Sequence, residues 1–374
     1  MKFKIKTSEL KKWLEIVNHA TANITTTPIL ENILIKVNFD NIVFTSNNLE
    51  TAIEYTIKED IEIISEWSYC IPSKLFTNYI NLVLDDEIDL ELNKDHIEIN
   101  SLSWKIKIKW LEAEDFPLIP SIKEEFSIKL DSEILKKAIW KTLFSSAEWN
   151  IRPTLAGILV NLKWNDAIFA STDSFRLSEY RTKLWVDNMS SFSQIIPSKT
   201  ANEIKNILKN DEEIKIVSWN LWIAFFFWNT KFYSRLLNGK FPDYTTFFPT
   251  SHSTKAEINR SDLMWALKKI NLVSKENNYS IKMSFSSENW IVLETNETQI
   301  WEWQVNLVWL VEWEDSIIWI NSVYFLEVLW VMETTHVSIS FESALSPILI
   351  SPLTDPEKWK DNSSFKHIIM PLKI

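Results

Sequence analysis

The chain has 374 residues, of which 46% are hydrophobic and 24% are charged, the ordinary balance of a folded globular protein. This length predicts two or three domains. The net charge of −11 argues against a protein that covers its whole surface with nucleic acid, but it allows DNA binding on one concave surface. Cys70 is the only cysteine, so we expect no disulfide framework, and no apolar run approaches the ~20 residues that span a bilayer. We therefore expect a cytoplasmic protein.

One type of helix is predicted three times along the chain. The alternating residues 1–6 predict a strand rather than a signal peptide. After them, apolar residues at helical spacing follow Ser8, and the same pattern follows Ser132 and Ser261. Each serine is the expected N-cap of its helix.

A second type of helix recurs at a similar interval. The sequence Ile-Pro-Ser-Lys stands at 71–74 and 196–199, and Ile-Asn-Ser stands at 320–322, each before an amphipathic stretch and an alternating run. The interval of about 125 residues indicates three copies of one unit. We predict an α+β fold whose domains are 1–125, 126–250 and 251–374, each with two helices packed on short antiparallel strands. The repeat alone leaves open whether the units form an array or a ring that a homodimer closes.

Tryptophan and glycine occur in unusual numbers. The sequence has 20 Trp and 2 Gly, whereas an average glycine usage of roughly 7% predicts about 26 glycines. Trp-Asn pairs stand at 149–150, 164–165, 219–220 and 228–229, between apolar runs where Gly-Asn is a common turn. Trp290 stands where a hairpin favours glycine, and Trp301 and Trp303 stand at an expected strand start.

We hypothesise that most of these tryptophans are glycine in the native protein, because the host decodes a reassigned stop codon as glycine. The alternative is a genuine aromatic-rich surface, as in a carbohydrate-binding repeat protein. Binding aromatics should cluster on one face, whereas these fall at expected turns.

Several short motifs resemble one known family. Residues 172–177 read TDSFRL, 238–244 read NGKFPDY, 152–157 read RPTLAG and 369–372 read IMPL. They resemble the TDGHRL, GKFPDY, RPxLxG and VMPM signatures of the bacterial DNA sliding clamp family, the beta subunit of DNA polymerase III. The opening MKF and the PIL at 28–30 also fit, so the resemblance covers the whole chain.

Three positions depart from the family pattern. Phe175 replaces the usual histidine, and Ser174 replaces the usual glycine. The loop at 23–26 lacks an arginine that often touches DNA in the family. These departures bear on the shape of one pocket and on one DNA contact, not on the fold.

The resemblance implies a processivity factor without catalytic activity or cofactor. Two chains of three clamp domains would close head to tail as a homodimer ring of six domains around duplex DNA. The implied partners are DNA of any sequence, a second copy, the catalytic subunit of the replicative polymerase, the clamp loader and other clamp-motif proteins of replication and repair, with no membrane partner.

Basic side chains recur at equivalent points of the repeats. In the family these helices line the central hole, where lysines would face phosphates without reading bases. The alternative for any single lysine is an ordinary solvated surface charge. The candidates for DNA contact are Lys11, Lys12, Lys74, Lys136, Lys137, Lys141, Arg152, Lys199, Lys205 and Lys268.

The resemblance also implies an apolar pocket for short peptides of the partner proteins, with a few polar groups that fix orientation. The alternative for Leu155 and Leu177 is an ordinary place in the core. The expected pocket residues are Leu155, Thr172, Ser174, Phe175, Arg176, Leu177, Pro242, Phe247, Leu345, Ile368, Met370 and Pro371. The apolar candidates for the seam between two copies are Ile106, Ile108, Leu272 and Val273.

The sequence contains no constellation that predicts catalysis or metal binding. Its five histidines are scattered and share no metal-like spacing with carboxylates. No glycine-rich phosphate loop is evident, even with Trp read as Gly. Asp173, beside Thr172, is interpreted as a carboxylate that stabilises a turn.

Overall fold

The computed structural model describes residues 2–22, 25–59, 61–102, 104–148, 152–184, 191–286, 290–295, 304–308, 310–313, 315–353 and 363–373. Its elements follow one order three times: a strand, a helix, a group of strands, a second helix and further strands. The helices are α1 (Thr7–Val17), α2 (Ser73–Leu82), α3 (Ser132–Thr142), α4 (Ser198–Ile207), α5 (Arg260–Ser274) and α6 (Ser322–Val331).

The strands are short and pair antiparallel. The first third of the chain contains β1 (Lys2–Lys6), β2 (Asn32–Asn38), β3 (Asn41–Asn47), β4 (Thr51–Ile57), β5 (Ile61–Ile63), β6 (Trp67–Pro72), β7 (Glu87–Leu92), β8 (His96–Asn100), β9 (Lys105–Lys109) and β10 (Leu111–Glu112). The central third contains β11 (Phe126–Asp131), β12 (Gly157–Lys163), β13 (Asp166–Thr172), β14 (Arg176–Lys183), β15 (Phe192–Pro197), β16 (Glu213–Trp219), β17 (Trp222–Phe227) and β18 (Thr230–Arg235). The last third contains β19 (Thr254–Asn259), β20 (Ser280–Ser286), β21 (Trp290–Glu294), β22 (Gln304–Val308), β23 (Leu310–Trp313), β24 (Ser316–Asn321), β25 (His336–Phe341), β26 (Ile348–Leu353) and β27 (Ser364–Ile369).

The chain separates into two compact units, and neither coincides with one repeat. Unit one comprises Met1–Glu133 and Glu203–Leu236, and unit two comprises Ile134–Asn202 and Leu237–Ile374. The central repeat is divided because its strands belong to two different sheets. The three domain boundaries given above therefore stay a prediction.

Unit one contains a nine-stranded and a five-stranded sheet. The larger sheet has the order β10-β6-β2-β3-β4-β18-β17-β16-β11, and the smaller has the order β5-β1-β7-β8-β9. The pairing of β4 with β18 joins strands of the first and central repeats, with Ile53 opposite Phe232, and both side chains are fully buried. Helix α1 packs on β3 and β4 and buries Leu10 and Leu14. Burial of each such side chain stabilises the fold by about 2 kcal/mol.

Unit two contains a second nine-stranded sheet and a four-stranded sheet. The larger has the order β15-β12-β13-β14-β27-β26-β25-β19-β23, and the smaller has the order β22-β21-β20-β24. The pairing of β14 with β27 joins the central and C-terminal repeats, with Leu177 opposite Ile368. This register brings the start of β14 beside the end of β27, where the candidate pocket lies.

The second helix of each repeat begins at the serine of its motif, at Ser73, Ser198 and Ser322. In two repeats this serine ties the two helices together. The hydroxyl of Ser73 donates to the side chain of Asn18, which follows α1, and the hydroxyl of Ser322 donates to Asn271 in α5. The same polar contact therefore recurs in the first and third repeats.

The predicted N-caps of the first helix type are wrong. Ser8 lies inside α1, Ser132 is the first residue of α3, and Ser261 is the second residue of α5. The cap of α5 is Asn259, whose side chain accepts from the backbone amide of Ser261 at 2.9 Å. Asp131 accepts in the same way from a backbone amide of α3 at 2.8 Å. Asn and Asp cap as well as Ser does, and here they stand immediately before the helix.

Two of the Trp-Asn pairs form hairpin turns with left-handed backbone at tryptophan. Trp164 has φ 57° between β12 and β13, and Trp228 has φ 48° between β17 and β18. Tight hairpin turns require positive φ at this position and favour glycine there. At the third pair, residues 219–220, a glycine-like turn position at tryptophan was expected, and this is wrong. Trp219 ends β16, and the positive φ of 47° is at Asn220. The residues 23–24, 149–150, 287–289, 301 and 303, to which further expectations refer, lie outside the described part of the chain.

Candidate functional site

Unit two contains a cavity of about 230 Å³ at the point where β14 meets β27. Nine of the expected pocket residues line it, together with two that were not expected there, Arg152 and Tyr244. Its walls are largely apolar, and its polar groups lie on the turn before β14, on two arginines and on Tyr244. The lining residues are Arg152, Leu155, Thr172, Ser174, Arg176, Leu177, Pro242, Tyr244, Phe247, Ile368 and Met370.

Three expected pocket residues are not part of this lining. The side chains of Phe175 and Leu345 are 60% and 66% exposed, and Pro371 is half-buried. Phe175 contributes its backbone instead, because its carbonyl accepts from the amide of Met370 at 2.8 Å. This bond holds the segment after β27 against the turn before β14.

The turn before β14 is organised by Asp173. Its carboxylate accepts from the backbone amides of Phe175 and Arg176, both at 2.9 Å. Thr172 closes the turn from the other side by donating its hydroxyl to the carbonyl of Arg176 at 2.6 Å. Asp173 therefore has the turn-stabilising role that its sequence position predicts.

Arg176 is held by two carboxylates and an aromatic ring. Its Nε donates to Asp173 at 3.0 Å, and its terminal nitrogen contacts Glu327 on α6. The guanidinium also lies over the ring of Tyr324, at 4.3 Å from the centroid. Its charge is thus balanced within the protein, and the planar group is fixed in one orientation.

A buried carboxylate fixes Tyr244 at the wall of the pocket. Glu179 is only 2% exposed, and it accepts from the hydroxyl of Tyr244 at 2.7 Å and from Arg181 at 2.7 and 2.8 Å. Burial and then the charge of Glu179 raise the pKa of Tyr244 above its ordinary value, so this phenol stays protonated and donates. Tyr244 belongs to the NGKFPDY motif, which was the signal that could have identified it as a pocket residue.

His367 lies behind the pocket and precedes Ile368. It is fully buried, and its Nδ1 is 2.8 Å from the hydroxyl of Ser178, which is itself 2.7 Å from the hydroxyl of Ser145. Burial and then the nearby charge of Arg176 lower the pKa of His367 well below its ordinary value. The imidazole is therefore neutral and serves as a hydrogen-bonded part of the interior.

Arg152 has a position in the structure that its charge alone did not predict. It was predicted to contact DNA, but it lines the pocket, and its NH1 donates to the hydroxyl of Ser174 at 2.8 Å. Arg152 is the first residue of the RPTLAG turn, which brings its guanidinium to the pocket, and its predicted DNA contact stays a prediction. We therefore treat it as a pocket residue.

The helix lysines differ in exposure. Of the nine lysines that were predicted to contact DNA, Lys74, Lys199 and Lys268 are exposed. Five are half-buried, and Lys141 is buried. Lys11 donates to the carbonyl of Val83 at 2.8 Å, which draws its charge toward the protein. The half-buried lysines are Lys11, Lys12, Lys136, Lys137 and Lys205.

Lys141 cannot serve as a phosphate contact in this structure. It is 5% exposed, and its ammonium donates to the carbonyl of Val331 at 2.8 Å and lies 3.6 Å from Glu333. Lys141 follows Ala138 by three residues, so it shares the buried face of α3. It ties α3 to the end of α6, and we remove it from the DNA-facing set.

The four seam candidates also differ in exposure. Ile108 is 2% exposed because it packs inside its own sheet, so it cannot present an apolar surface to another chain. Ile106 is half-buried on β9, the edge strand of the five-stranded sheet. Leu272 on α5 is 82% exposed, and Val273 is half-buried.

The part of the chain that the structure describes has no group of three potential metal ligands. No helix among the described residues is long and apolar enough to cross a membrane.

Comparison with known proteins gives one consistent result along the whole chain. Family models described as the N-terminal, central and C-terminal domains of the DNA polymerase III beta subunit match residues 1–120, 129–243 and 245–373. The beta sliding clamp of Bacillus subtilis is 27% identical over 365 residues, which cover 95% of this chain and 97% of the relative. That of Staphylococcus epidermidis is 29% identical over 384 residues, which cover 100% and 99%.

Solved structures agree with the sequence matches. The crystal structure of the Bacillus subtilis DNA polymerase sliding clamp matches with a TM-score of 0.94 at 27% identity, and the match covers 100% of this chain and 99% of that one. The Thermotoga maritima DNA polymerase III beta subunit, at 24% identity and the same coverage, shares the fold with a TM-score of 0.92. The alternative of a carbohydrate-binding repeat protein receives no support from these matches.

Proposed function

Because the chain belongs to the DNA polymerase III beta subunit family, we propose that it works as a sliding clamp, the processivity factor of a replicative DNA polymerase. It encircles duplex DNA and tethers the polymerase to it. A tethered polymerase rebinds the template at high effective concentration instead of diffusing away. The observation that carries the proposal is the run of three consecutive domain matches, which together cover nearly the whole chain.

The ring is a head-to-tail dimer of chains that each contribute three clamp domains, 1–125, 126–250 and 251–374. Half-buried Ile106 on an edge strand and exposed Leu272 support a seam that uses these residues and Val273. An edge strand offers unpaired backbone groups, and an exposed leucine offers apolar area, to a second copy.

Duplex DNA is held through its phosphates. The exposed candidates are Lys74, Lys199 and Lys268, on α2, α4 and α5. Phosphate contacts carry no sequence information, so the ring moves along any sequence. The excess of acidic over basic residues in the whole chain, a net charge of −11, disfavours DNA on the remaining surface.

Partner proteins bind through short apolar segments that enter the pocket of unit two. The partners are the polymerase catalytic subunit, the clamp loader and other clamp-motif proteins of replication and repair. The largely apolar lining, with oriented polar groups at Arg152, Arg176 and Tyr244, supports this assignment. The chain acts without catalysis or a cofactor of its own, in the cytoplasm, where a bacterial-type polymerase works.

The function is tested by the length of DNA made in one polymerase binding event. On a primed circular template with the cognate polymerase and loader, addition of the chain should lengthen the products at least about tenfold, because rebinding becomes intramolecular. Omission of the loader is the control and should remove the effect. Products of unchanged length in the complete reaction would reject the proposal.

A further inference from the structure

A row of lysines crosses the nine-stranded sheet of unit one. The strand pairings place Lys129 on β11 opposite Lys215 on β16, and Lys215 opposite Phe226 on β17. Phe226 in turn lies opposite Lys231 on β18. Phe225, the residue before Phe226, is fully buried, so the alternation along the strand turns the row toward the other face of the sheet. This face carries three lysines and one half-buried phenylalanine in register.

The row lines a groove of about 680 Å³. Among the described lining residues, Lys58, which follows β4, is a fourth lysine, and Glu213 is the one carboxylate. The groove shares no residue with the pocket of unit two. We call this surface the lysine groove and define it by Lys58, Lys129, Lys215, Phe226 and Lys231. None of these five is a tryptophan, so their charges are the same however the Trp positions are decoded.

Two of these lysines are direct neighbours although their charges are alike. Like charges directly opposite each other on paired strands destabilise a sheet, and Lys129 lies opposite Lys215. Each has its own carboxylate: the ammonium group of Lys129 is 2.6 Å from Glu213, and that of Lys215 is 2.9 Å from Glu124. The side chains of Glu213 and Glu124 are 65% and 49% exposed. Such exposed pairs are weak, so a carboxylate from another molecule can replace them at little cost.

Lys58 and Lys231 add positive charge at the other end of the groove. Lys58 is exposed, and no carboxylate among the described residues lies within ion-pair distance of it. Lys231 is 3.2 Å from Glu54, which also accepts from the hydroxyl of Tyr233 at 3.1 Å. The groove therefore collects four lysines against three carboxylates that pair with them, on a chain whose net charge is −11.

Charge complementarity favours an acidic protein segment as the occupant. The row and Glu54 span the five strands from β11 to β4, and neighbouring strands lie roughly 4.8 Å apart, so the row is about 19 Å long. An extended peptide rises about 3.4 Å per residue, so about six residues follow the row. Its carboxylates reach the lysines, and one aromatic side chain packs on Phe226. A continuous phosphate backbone fits less well, because Glu54 and Glu213 lie on the same face and repel it.

We propose that the lysine groove is a docking surface for an acidic segment of a partner protein, in which an aromatic residue stands between the carboxylates. The segment is extended and about six residues long. The inference goes beyond the proposed function, because it requires neither a closed ring nor the pocket of unit two.

The test measures the binding of three dye-labelled probes to the full chain by fluorescence anisotropy at low salt. The first is the blocked hexapeptide Glu-Glu-Phe-Glu-Glu-Glu, the second has Gln in place of every Glu, and the third is an oligothymidylate of six nucleotides. We expect the acidic hexapeptide to bind about tenfold more tightly than the neutral one, because three exposed charge pairs each contribute about a factor of two. The difference should shrink as salt is raised.

Variants locate the source of this preference. Lys215→Gln and Lys231→Gln should each lower the affinity for the acidic hexapeptide about twofold to fourfold, and the neutral hexapeptide should bind as before. Lys4→Gln is the matched control, since Lys4 is an exposed strand lysine in the five-stranded sheet of the same unit, and it should change neither affinity. Removal of residues 370–374 takes Met370 from the pocket of unit two and should also leave both affinities unchanged.

Three results would overturn the inference. The first is equal binding, or no binding, of the two hexapeptides, or a preference that the double variant of Lys215 and Lys231 keeps. The second is tighter binding of the oligothymidylate than of the acidic hexapeptide, which would assign the groove to nucleic acid. The third is loss of hexapeptide binding on removal of residues 370–374, which would place the binding in the pocket of unit two. None of these results changes the length of DNA made in one polymerase binding event, which tests the proposed function separately.

Discussion

Removal of residues 370–374 is expected to weaken the binding of an apolar partner peptide by at least about 30-fold, the effect of losing about 2 kcal/mol of central contact. Met370 lines the pocket, and its backbone amide donates a hydrogen bond to the carbonyl of Phe175, which holds the segment in place. Ile368 should remain, since β27 ends at Ile369 and pairs with β14 through residues that the deletion keeps. The measurement is a peptide titration by anisotropy.

A shorter deletion provides the matched control. Removal of residues 373–374 alone spares Met370, Pro371 and the amide of Leu372, which donates to the carbonyl of Trp319 at 2.8 Å. We expect peptide affinity close to that of the full chain. The account of the pocket would be refuted if the longer deletion kept full affinity while the dimer remained intact.

Glycine in place of Trp164 is expected to raise the free energy of unfolding by about 1 kcal/mol. Trp164 has φ 57°, and left-handed backbone costs a residue with a side chain roughly 1–2 kcal/mol but costs glycine almost nothing. Its side chain is 66% exposed, so little buried area is lost. Urea unfolding of Trp164→Gly beside the written sequence measures the difference.

Two other tryptophans serve as comparisons. Trp140 is also half-exposed but lies within α3, where glycine should lower stability by about 0.5 kcal/mol. At Trp228 the ammonium groups of Lys12 and Lys209 lie 3.9 and 3.8 Å from the ring centroid, and each such contact stabilises the fold by about 0.5–1 kcal/mol. Glycine would remove these contacts, which offsets the relief of backbone strain. We therefore expect a change near zero at Trp228.

The native residue at these positions is decided by mass. At each Trp position that is decoded as glycine, one hydrogen replaces the indolylmethyl side chain. Protein isolated from its own source should therefore be lighter than the written sequence by that difference in mass for each such position. The two glycines that are written support this reading, because both stand where a side chain is excluded: a Cβ at Gly157 would clash with the carbonyl of Ile196, and Gly239 has φ 136°. An intact mass equal to that of the written sequence would end the hypothesis.

Local features of this fold could be predicted from sequence, because they depend on neighbouring residues. The motif serines at Ser73, Ser198 and Ser322 each begin a helix, and the interval between them shows the threefold repeat. The N-caps of α3 and α5 were misplaced by one and two residues, because Asp131 and Asn259 take the role that was predicted for the serines after them. Helix boundaries are uncertain on this scale.

Long-range pairing could not be predicted from the repeat. The contacts of β4 with β18 and of β14 with β27 join different repeats, and no local pattern specifies them. The resemblance to the sliding clamp family, and not the repeat, predicted that Leu177 and Met370 line one pocket. Lys141 was misplaced because its charge was considered without its orientation, although its three-residue spacing from Ala138 was a usable signal.

The central claim is that two copies of this chain close around duplex DNA, and its most direct test is topological. After loading onto a nicked circular plasmid, the complex is separated by gel filtration at a salt concentration that weakens phosphate contacts. We predict that the chain stays with the circle and is lost after a single cut makes the plasmid linear, because a ring slides off free ends. Equal retention on the two forms, or equal loss from both, would contradict encirclement.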